Sequence, residues 1–330
     1  MVAIQTYARS IVQNFRNRLR IFPDWLRGPF FVLLLLVFGL SLEPFPKLLL
    51  EQMLIVGLFA MSLNLIMGYG GMVHFGHAAF YGLGAYTFAI LTSRLEQPSL
   101  LAMFAAPFVS AGVAAVLGWF CVRRVRLYFS ILTLAFGQLI YLIIFQAREF
   151  TGGDDGIQGL LRPDFLTDPN AYYVFTVLVF AASFLALRTI IRSPFVLTLR
   201  AIRENMERAQ FIGVDTRRHQ LVAFVIGSFF AGIAGMLMAL HNRFVSAEML
   251  LWTTSAEPIL ASLLGGMFTM SGPLFGAALL TYLNVTITRF TPYWPAVLGT
   301  LTVLIVLLAP TGIVGTLGRF LSSEPDQKEG

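Results

Sequence analysis

Long apolar runs alternate with short polar segments along nearly the whole chain. A helix needs about 20 predominantly apolar residues to cross a bilayer, and uncharged runs near that length recur between residues 30 and 310. The pattern predicts an all-α polytopic membrane protein with about ten transmembrane helices. The predicted spans are 30–42, 48–67, 78–93, 100–121, 128–147, 171–191, 220–241, 259–271, 273–289 and 295–310.

Two glycine-rich stretches interrupt this pattern. Gly68 to Gly76 separates the second predicted span from the third, and Gly265 to Gly272 separates the eighth from the ninth. Lipid offers no hydrogen-bond partners to backbone groups, so broken helix is tolerated only where it is buried in protein or lines a cavity. Interrupted segments in the two halves of a transporter point to a translocation path where they meet. We therefore predict broken or re-entrant segments at both stretches, with 259–271 as one half of a broken helix.

The composition excludes a soluble enzyme. Only 12% of the residues are charged and the mean hydropathy is +0.77, whereas soluble proteins carry about 25% charged residues. Basic residues favour cytoplasmic loops, and a cytoplasmic N-terminus places 17 of the 23 Lys and Arg residues on that side. Both termini are therefore predicted to be cytoplasmic. The net charge of +6 then follows from topology and gives no support to nucleic-acid binding.

The predicted organisation has three parts. Residues 1–28 form a cytoplasmic amphipathic segment lying in the membrane interface, with a partly disordered basic tail as the alternative. Residues 29–318 form the transmembrane permease domain, and 319–330 form a cytoplasmic tail.

The chain lacks the residues that energise transport. Ion-coupled transporters carry ionisable residues inside their helices, but these span interiors contain no Asp, Lys or Arg away from their ends. A P-loop needs a lysine that reaches the phosphates, and neither Lys47 nor Lys328 lies in such a motif. The chain is predicted to be non-catalytic, so that uphill transport would draw on another subunit.

The largest predicted cytoplasmic loop, 192–219, carries a short helix. Ser193 and Pro194 suit its start, and Gly213 suits its end. A soluble partner with a matching groove would bind such a helix, and the alternative is a loop helix resting on lipid headgroups. Its apolar face carries Leu199, Ile202, Met206 and Ala209.

Four blocks of residues carry a family resemblance. They are Gly68–Gly71 with Phe75–Tyr86; Thr133–Gly137 with Thr151–Gly153 and Asp155–Gly156; Arg200–Asn205 with Ala209, Gly213, Ala223–Phe224 and Phe229–Gly235; and Leu264–Met267 with Gly272–Ala277. In this order, over about residues 50 to 315, they resemble the LivM-type permeases, which are membrane subunits of branched-chain amino acid ABC importers.

The resemblance implies a type II ABC importer-like permease fold in a bacterial inner membrane. It also implies the partners: a second homologous permease, two ATPase subunits that bind ATP and Mg²⁺, and a periplasmic solute-binding protein, with membrane lipid around the assembly. The loop helix would be the coupling helix. The residues expected to contact an ATPase subunit are Ile202, Arg203, Glu204, Asn205 and Ala209.

The translocation path is expected at the glycine breaks. Met72 and His74 fall where the family commonly has glutamine and serine, which leaves the solute open, and His77 matches a family motif and is expected to make a structural hydrogen bond. No metal site is predicted at the two histidines, since zinc takes two or more further ligands. The residues expected along the path are Gly68, Gly71, Met72, His74, His77, Gly265 and Gly266.

Gly227, Ala231 and Gly235 recur every four residues, a spacing that lets helix backbones approach closely. We predict that they pack helices together within the subunit.

Two functional classes follow. The favoured one is an ABC importer permease subunit for branched-chain amino acids or related small solutes. The alternative is a self-contained channel or facilitator for a small polar solute such as urea or an amide. The absence of ion-coupling residues is equally compatible with a facilitator. A facilitator, however, leaves the coupling-type loop unexplained.

Overall fold

The computed structural model describes residues 32, 35–123, 127–290, 293–308 and 312–316, and these are predominantly helical. Five helical segments in this part of the chain have the length and apolar composition to cross a membrane. They are Pro44–Tyr69, Ser99–Cys121, Leu127–Gln146, Pro169–Ile191 and Thr216–Asn242.

The helices follow one another with short connections. In chain order they are α1 (Pro44–Asn64), α2 (His77–Ser93), α3 (Ser99–Cys121), α4 (Leu127–Gln146), α5 (Arg148–Thr151), α6 (Pro169–Ile191), α7 (Pro194–Glu204), α8 (Met206–Phe211), α9 (Thr216–Asn242), α10 (Trp252–Gly265), α11 (Gly272–Thr288) and α12 (Trp294–Leu308). A π-helical turn, Leu65–Tyr69, continues α1, and 3-10 turns cover Asp164–Leu166 and Ala247–Leu250.

The longest helix, α9, lies at the centre of the bundle. It packs against α1, α2 and α3, while α1 also packs against α6, α10 and α11. Most of α1 is buried and little of it faces outward, whereas α3, α4 and α6 each expose much of their apolar surface. That exposed apolar surface is what helices facing lipid require.

Three predicted spans match helices closely, and one has the wrong bounds. The predicted spans 78–93, 100–121 and 128–147 agree with α2, α3 and α4 to within a residue. The predicted span 259–271 is wrong in its bounds, because α10 begins at Trp252 and ends at Gly265. The charged Glu257 and the helix-breaking Pro258 interrupt the apolar pattern, yet both residues lie inside the helix.

Four predicted segments fall partly or wholly outside the described residues. These are the amphipathic segment 1–28, the cytoplasmic tail 319–330, the last span, 295–310, of which residues 309 and 310 lie outside, and the first span, 30–42, of which residues 32 and 35–40 are helical. The prediction of an all-α chain needs a small correction. Ile157–Gln158 and Phe244–Val245 form a short antiparallel strand pair.

Polar side chains join the helices beside that strand pair. Nδ1 of His241 lies 3.0 Å from a carboxylate oxygen of Glu51, and both side chains are largely buried. Nε of Arg162 donates to the Leu240 carbonyl at 2.9 Å, and its guanidinium lies 3.7 Å from the centre of the Tyr172 ring. The last carbonyls of a helix lack intrahelical partners. Arg162 therefore supplies a cationic donor to the C-terminal end of α9.

Candidate functional site

At the first glycine stretch, an α-helix changes to a π-helical turn and then ends. After α1 the chain makes the π-helical turn Leu65–Tyr69 and runs without regular structure from Gly70 until α2 begins at His77. Gly71 adopts a φ of +68°, a conformation that side chains disfavour. π-Turns within helices are frequent at functional sites. The break expected from the sequence is present here.

The second stretch is a tight reversal between α10 and α11. Gly266 adopts a φ of +114°, and the hydroxyl of Thr269 donates to the Gly266 carbonyl at 3.0 Å and accepts from the Gly272 N–H at 3.0 Å. A Cβ atom at Gly265 would overlap the carbonyl of Gly272. The two helices approach so closely here that only glycine fits.

The two breaks lie against each other in the folded chain. A Cβ atom at Gly68 would overlap the Met267 carbonyl of the second break. The side-chain amide of Asn64, at the end of α1, donates to the Thr269 carbonyl at 3.3 Å. The structure thus brings Gly68, Gly265 and Gly266 into one neighbourhood. We call this meeting of residues 64–71 and 265–272 the break junction.

Arg203, from the loop helix α7, contacts both halves of the break junction. Its guanidinium donates a hydrogen bond to the Gly68 carbonyl, and its Cζ lies 4.7 Å from the centre of the Phe268 ring. Its aliphatic stem rests on Gly71, where a Cβ atom would lie 2.5 Å from Arg203 Cγ. The Gly68 carbonyl belongs to the last helical turn, whose carbonyls lack intrahelical partners. Arg203 therefore links the loop to the point where both helices are broken.

A second arginine of α7 reinforces this contact. Cζ of Arg200 lies 4.9 Å from the centre of the Tyr69 ring, the last residue of the π-turn. Cation–π contacts of this kind contribute about 0.5–1 kcal/mol each at exposed sites. Two arginines one turn apart thus join α7 to the first break.

The structure places Met72, His74 and His77 inside the chain. All three are buried. His77 Nε2 lies 2.8 Å from the Ser62 hydroxyl, which is the structural hydrogen bond expected for it. His74 is enclosed by aromatic rings, and neither of its ring nitrogens has a hydrogen-bond partner. Its neighbours are Phe80, Phe129, Phe224 and His77.

Among the described residues, the fold brings no set of further metal ligands to His74 and His77. Within the described residues, no group of three or more His, Cys, Asp or Glu side chains gathers in a way that would hold a metal ion.

The loop residues expected to contact a partner face different ways. Ile202 is 3% exposed, and Ala209 is also buried. This differs from the expectation because the apolar face of α7, formed by Val196, Leu199 and Ile202, is covered by the chain's own helices. Glu204 and Asn205 are exposed, and the Asn205 side chain caps α8 by accepting from the Arg208 N–H at 2.9 Å.

A different set of apolar side chains projects outward from the same loop. Leu197 is 69% exposed, Phe211 90% and Ile212 74%. We call Leu197, Phe211 and Ile212 the loop face. The loop face was not among the residues predicted to contact a partner, although these large apolar residues lie in a loop rich in charged residues. Exposed apolar patches rimmed by polar residues mark interaction sites.

The small residues of α9 lie where neighbouring helices cross it. A Cβ atom at Gly235 would overlap the Tyr81 carbonyl of α2, and one at Gly227 would lie 2.6 Å from the Ile66 side chain. Ala231, between them, is fully buried. These positions hold α1 and α2 against the central helix.

Comparisons with known proteins agree on one family. Residues 46–309 match the model for "Branched-chain amino acid transport system / permease component". The permease protein LivM of the high-affinity branched-chain amino acid transport system of Salmonella typhimurium is 28% identical over 300 residues, which cover 83% of this chain and 71% of that protein. LivM of Escherichia coli is also 28% identical, over 78% of this chain and 67% of its own length.

A second permease of the same transport system is also similar. LivH of Salmonella typhimurium is 24% identical over 279 residues, covering 78% of this chain and 90% of that protein. No solved structure matches the chain at a significant level.

Proposed function

Since the chain belongs to the family of branched-chain amino acid transport system permease components, we propose that it forms half of the translocation pathway of an ABC importer. The solutes are branched-chain amino acids or related small molecules, and separate subunits bind ATP and Mg²⁺ and hydrolyse the nucleotide. The observation that carries this proposal is the contact of Arg203 with both helix breaks. A cytoplasmic loop tied to a broken pair of helices suits a subunit that is driven from outside the membrane.

The second permease of the complex is a homologous chain. Salmonella typhimurium has two permease proteins, LivM and LivH, in one high-affinity branched-chain amino acid transport system, and this chain resembles both. The pathway then runs between the two permeases, beside the break junction.

The remaining features of the assembly belong to the same proposal. The chain has ten spans in a type II ABC importer-like fold, with both termini cytoplasmic, in a bacterial inner membrane. A periplasmic solute-binding protein delivers the solute to the outer side. The predominantly apolar exposed surfaces of α3, α4 and α6 support the membrane placement.

The loop face is the surface that meets an ATPase subunit. Leu197, Phe211 and Ile212 are exposed on α7 and at the end of α8, beside the exposed Glu204 and Asn205. Amphipathic helices bind partners by laying apolar anchors into a groove. Movement of the ATPase subunits reaches the break junction through α7, which carries the exposed Leu197 as well as Arg203, whose guanidinium contacts Gly68 and Phe268.

Replacing Leu197 or Phe211 by serine is expected to weaken binding of the ATPase subunits. Buried apolar anchors at the centre of an interface contribute more than about 1 kcal/mol each, or about fivefold in affinity. Both side chains are exposed in this chain, so the change leaves its own packing intact. Co-purification of the ATPase subunits with each variant measures the effect.

Leu161→Ser is the matched control for the loop face. Leu161 is 84% exposed and lies in the connection between α5 and α6, away from the loop. Equal retention of the ATPase subunits by Phe211→Ser and Leu161→Ser would exclude the loop face as the docking surface.

Reconstitution in proteoliposomes tests the proposed function against the facilitator. With the second permease, both ATPase subunits and the binding protein present, leucine uptake is expected only when ATP is hydrolysed. The chain alone is expected to give no uptake of leucine, urea or acetamide. Uptake of any of these by the chain alone, without nucleotide, would favour the facilitator.

A further inference from the structure

We propose that a cavity at one end of the helix bundle binds the headgroup of an anionic phospholipid. The cavity has a volume of about 540 Å³, and its lining combines two arginines with three large apolar side chains. It lies apart from the break junction and the loop face, and it does not depend on the transported solute. The lining residues are Phe120, Arg123, Leu132, Phe136 and Arg217.

The position of the cavity along the helices is that of a membrane surface. α3 ends at Cys121 and α9 begins at Thr216, so Arg123 and Arg217 lie where two helices of membrane-crossing length end. Trp119 lies one turn before Arg123 and is half exposed. Tryptophan is enriched at the level of the lipid headgroups. The two guanidinium groups therefore lie at headgroup depth.

Among the described residues, no carboxylate pairs with either arginine. In the described part of the chain, the ion pairs join Arg218 to Asp215 and His241 to Glu51, and neither involves Arg123 or Arg217. Cζ of Arg123 lies 3.5 Å from the centre of the Trp119 ring, which fixes the guanidinium plane. Its N–H edges remain available, and a planar guanidinium binds phosphate with paired hydrogen bonds.

The apolar wall of the cavity distinguishes a lipid from a free anion. The ring centres of Phe120 on α3 and Phe136 on α4 lie 6.4 Å apart. Leu132 extends this apolar wall along α4. A phosphate ion gains nothing from such a wall, whereas a phospholipid places its glycerol and acyl carbons there. Basic pockets between transmembrane helices bind anionic headgroups in this way.

The test is lipid binding by the purified full-length chain in a neutral detergent. Native mass spectrometry measures binding of phosphatidylglycerol and, separately, of phosphatidylcholine, with millimolar inorganic phosphate as a competitor. Phosphatidylglycerol is expected to bind more tightly than phosphatidylcholine, and inorganic phosphate is expected not to displace it. Arg123→Gln and Arg217→Gln are each expected to weaken phosphatidylglycerol binding about fivefold, given the usual contribution of one basic residue near an anionic surface.

Arg218→Gln is the matched control. It removes the same charge from the neighbouring position, but Arg218 pairs with Asp215 at 2.8 Å and does not line the cavity. It is expected to change binding less than twofold. Equal losses for Arg217→Gln and Arg218→Gln would overturn the proposal, because surface charge alone would explain them. Complete displacement by inorganic phosphate would overturn it too, in favour of a free-anion site.

The same titration on the complex with its partner subunits decides whether lipid is the occupant. Retention of phosphatidylglycerol by the complex, with the same sensitivity to Arg123→Gln, supports the proposal. Loss of the bound lipid in the complex would overturn it, because a protein subunit would then cover the cavity.

Discussion

Arg203→Ala is expected to lower ATP-driven uptake by an order of magnitude or more while ATP hydrolysis continues. The substitution removes a charge-assisted hydrogen bond to the Gly68 carbonyl and the contact with Phe268. A hydrogen bond from a charged group contributes about 1.5–3 kcal/mol, and about 2 kcal/mol corresponds to roughly thirtyfold. The loop face stays intact, so the ATPase subunits remain bound. Uptake and phosphate release, measured on the same proteoliposomes, separate the two activities.

Arg203→Lys and Arg192→Ala complete this experiment. Lysine keeps the charge but lacks the planar group that stacks on Phe268 while donating to a carbonyl, so an intermediate uptake is expected. Arg192 is exposed before α7 begins, and Arg192→Ala is expected to transport normally. Normal uptake by Arg203→Ala would show that the break junction is driven by some other contact.

The helical framework follows directly from the sequence, because a single physical requirement determines it. A membrane helix must be apolar over about 20 residues, and in this chain the apolar runs stop at charged residues or prolines. The starts of α3 and α4 are therefore predicted to within a residue. The family prediction is confirmed by the match over residues 46–309. Of the ten predicted spans, five have helices long and apolar enough to cross a membrane in the described part of the chain.

The loop shows where pattern alone is insufficient. An amphipathic helix with apolar side chains on more than one face does not reveal which face its own bundle covers. Ile202 and Ala209 were expected to contact a partner but pack inside the chain, while Phe211 and Ile212 project outward. Only the tertiary packing of α7 against α6, α9 and the π-turn decides between the two sets.

Arg203 shows a different limit. The family resemblance leads us to expect this loop residue to contact a soluble partner. Its actual hydrogen-bond acceptor lies 135 positions earlier in the chain. Asn64 likewise lies in an apolar span, but its acceptor, the Thr269 carbonyl, is 205 positions later in the chain. Contacts of such sequence separation depend on how the helices pack, and local pattern carries no information about them.

Gly235→Ala is expected to destabilise the chain by about 1–3 kcal/mol, the usual cost of overpacking a well-packed interior. The added Cβ atom would overlap the Tyr81 carbonyl and lie 3.2 Å from the Ala85 backbone nitrogen. Both atoms belong to the backbone of α2, so no side-chain rotation relieves the overlap. The central helix and α2 would have to separate, at the position where small residues let them approach.

Cys121 provides the measurement for Gly235→Ala. It is the single cysteine of the chain and it is buried, so a thiol-reactive dye reports unfolding in detergent as the temperature rises. Gly112→Ala in α3 is the control, since nothing lies within 4 Å of its Cβ position. Alanine favours helix over glycine by about 1 kcal/mol, so Gly112→Ala is expected to unfold at the same temperature or higher. If both variants unfold together, the approach of α2 to α9 does not depend on Gly235.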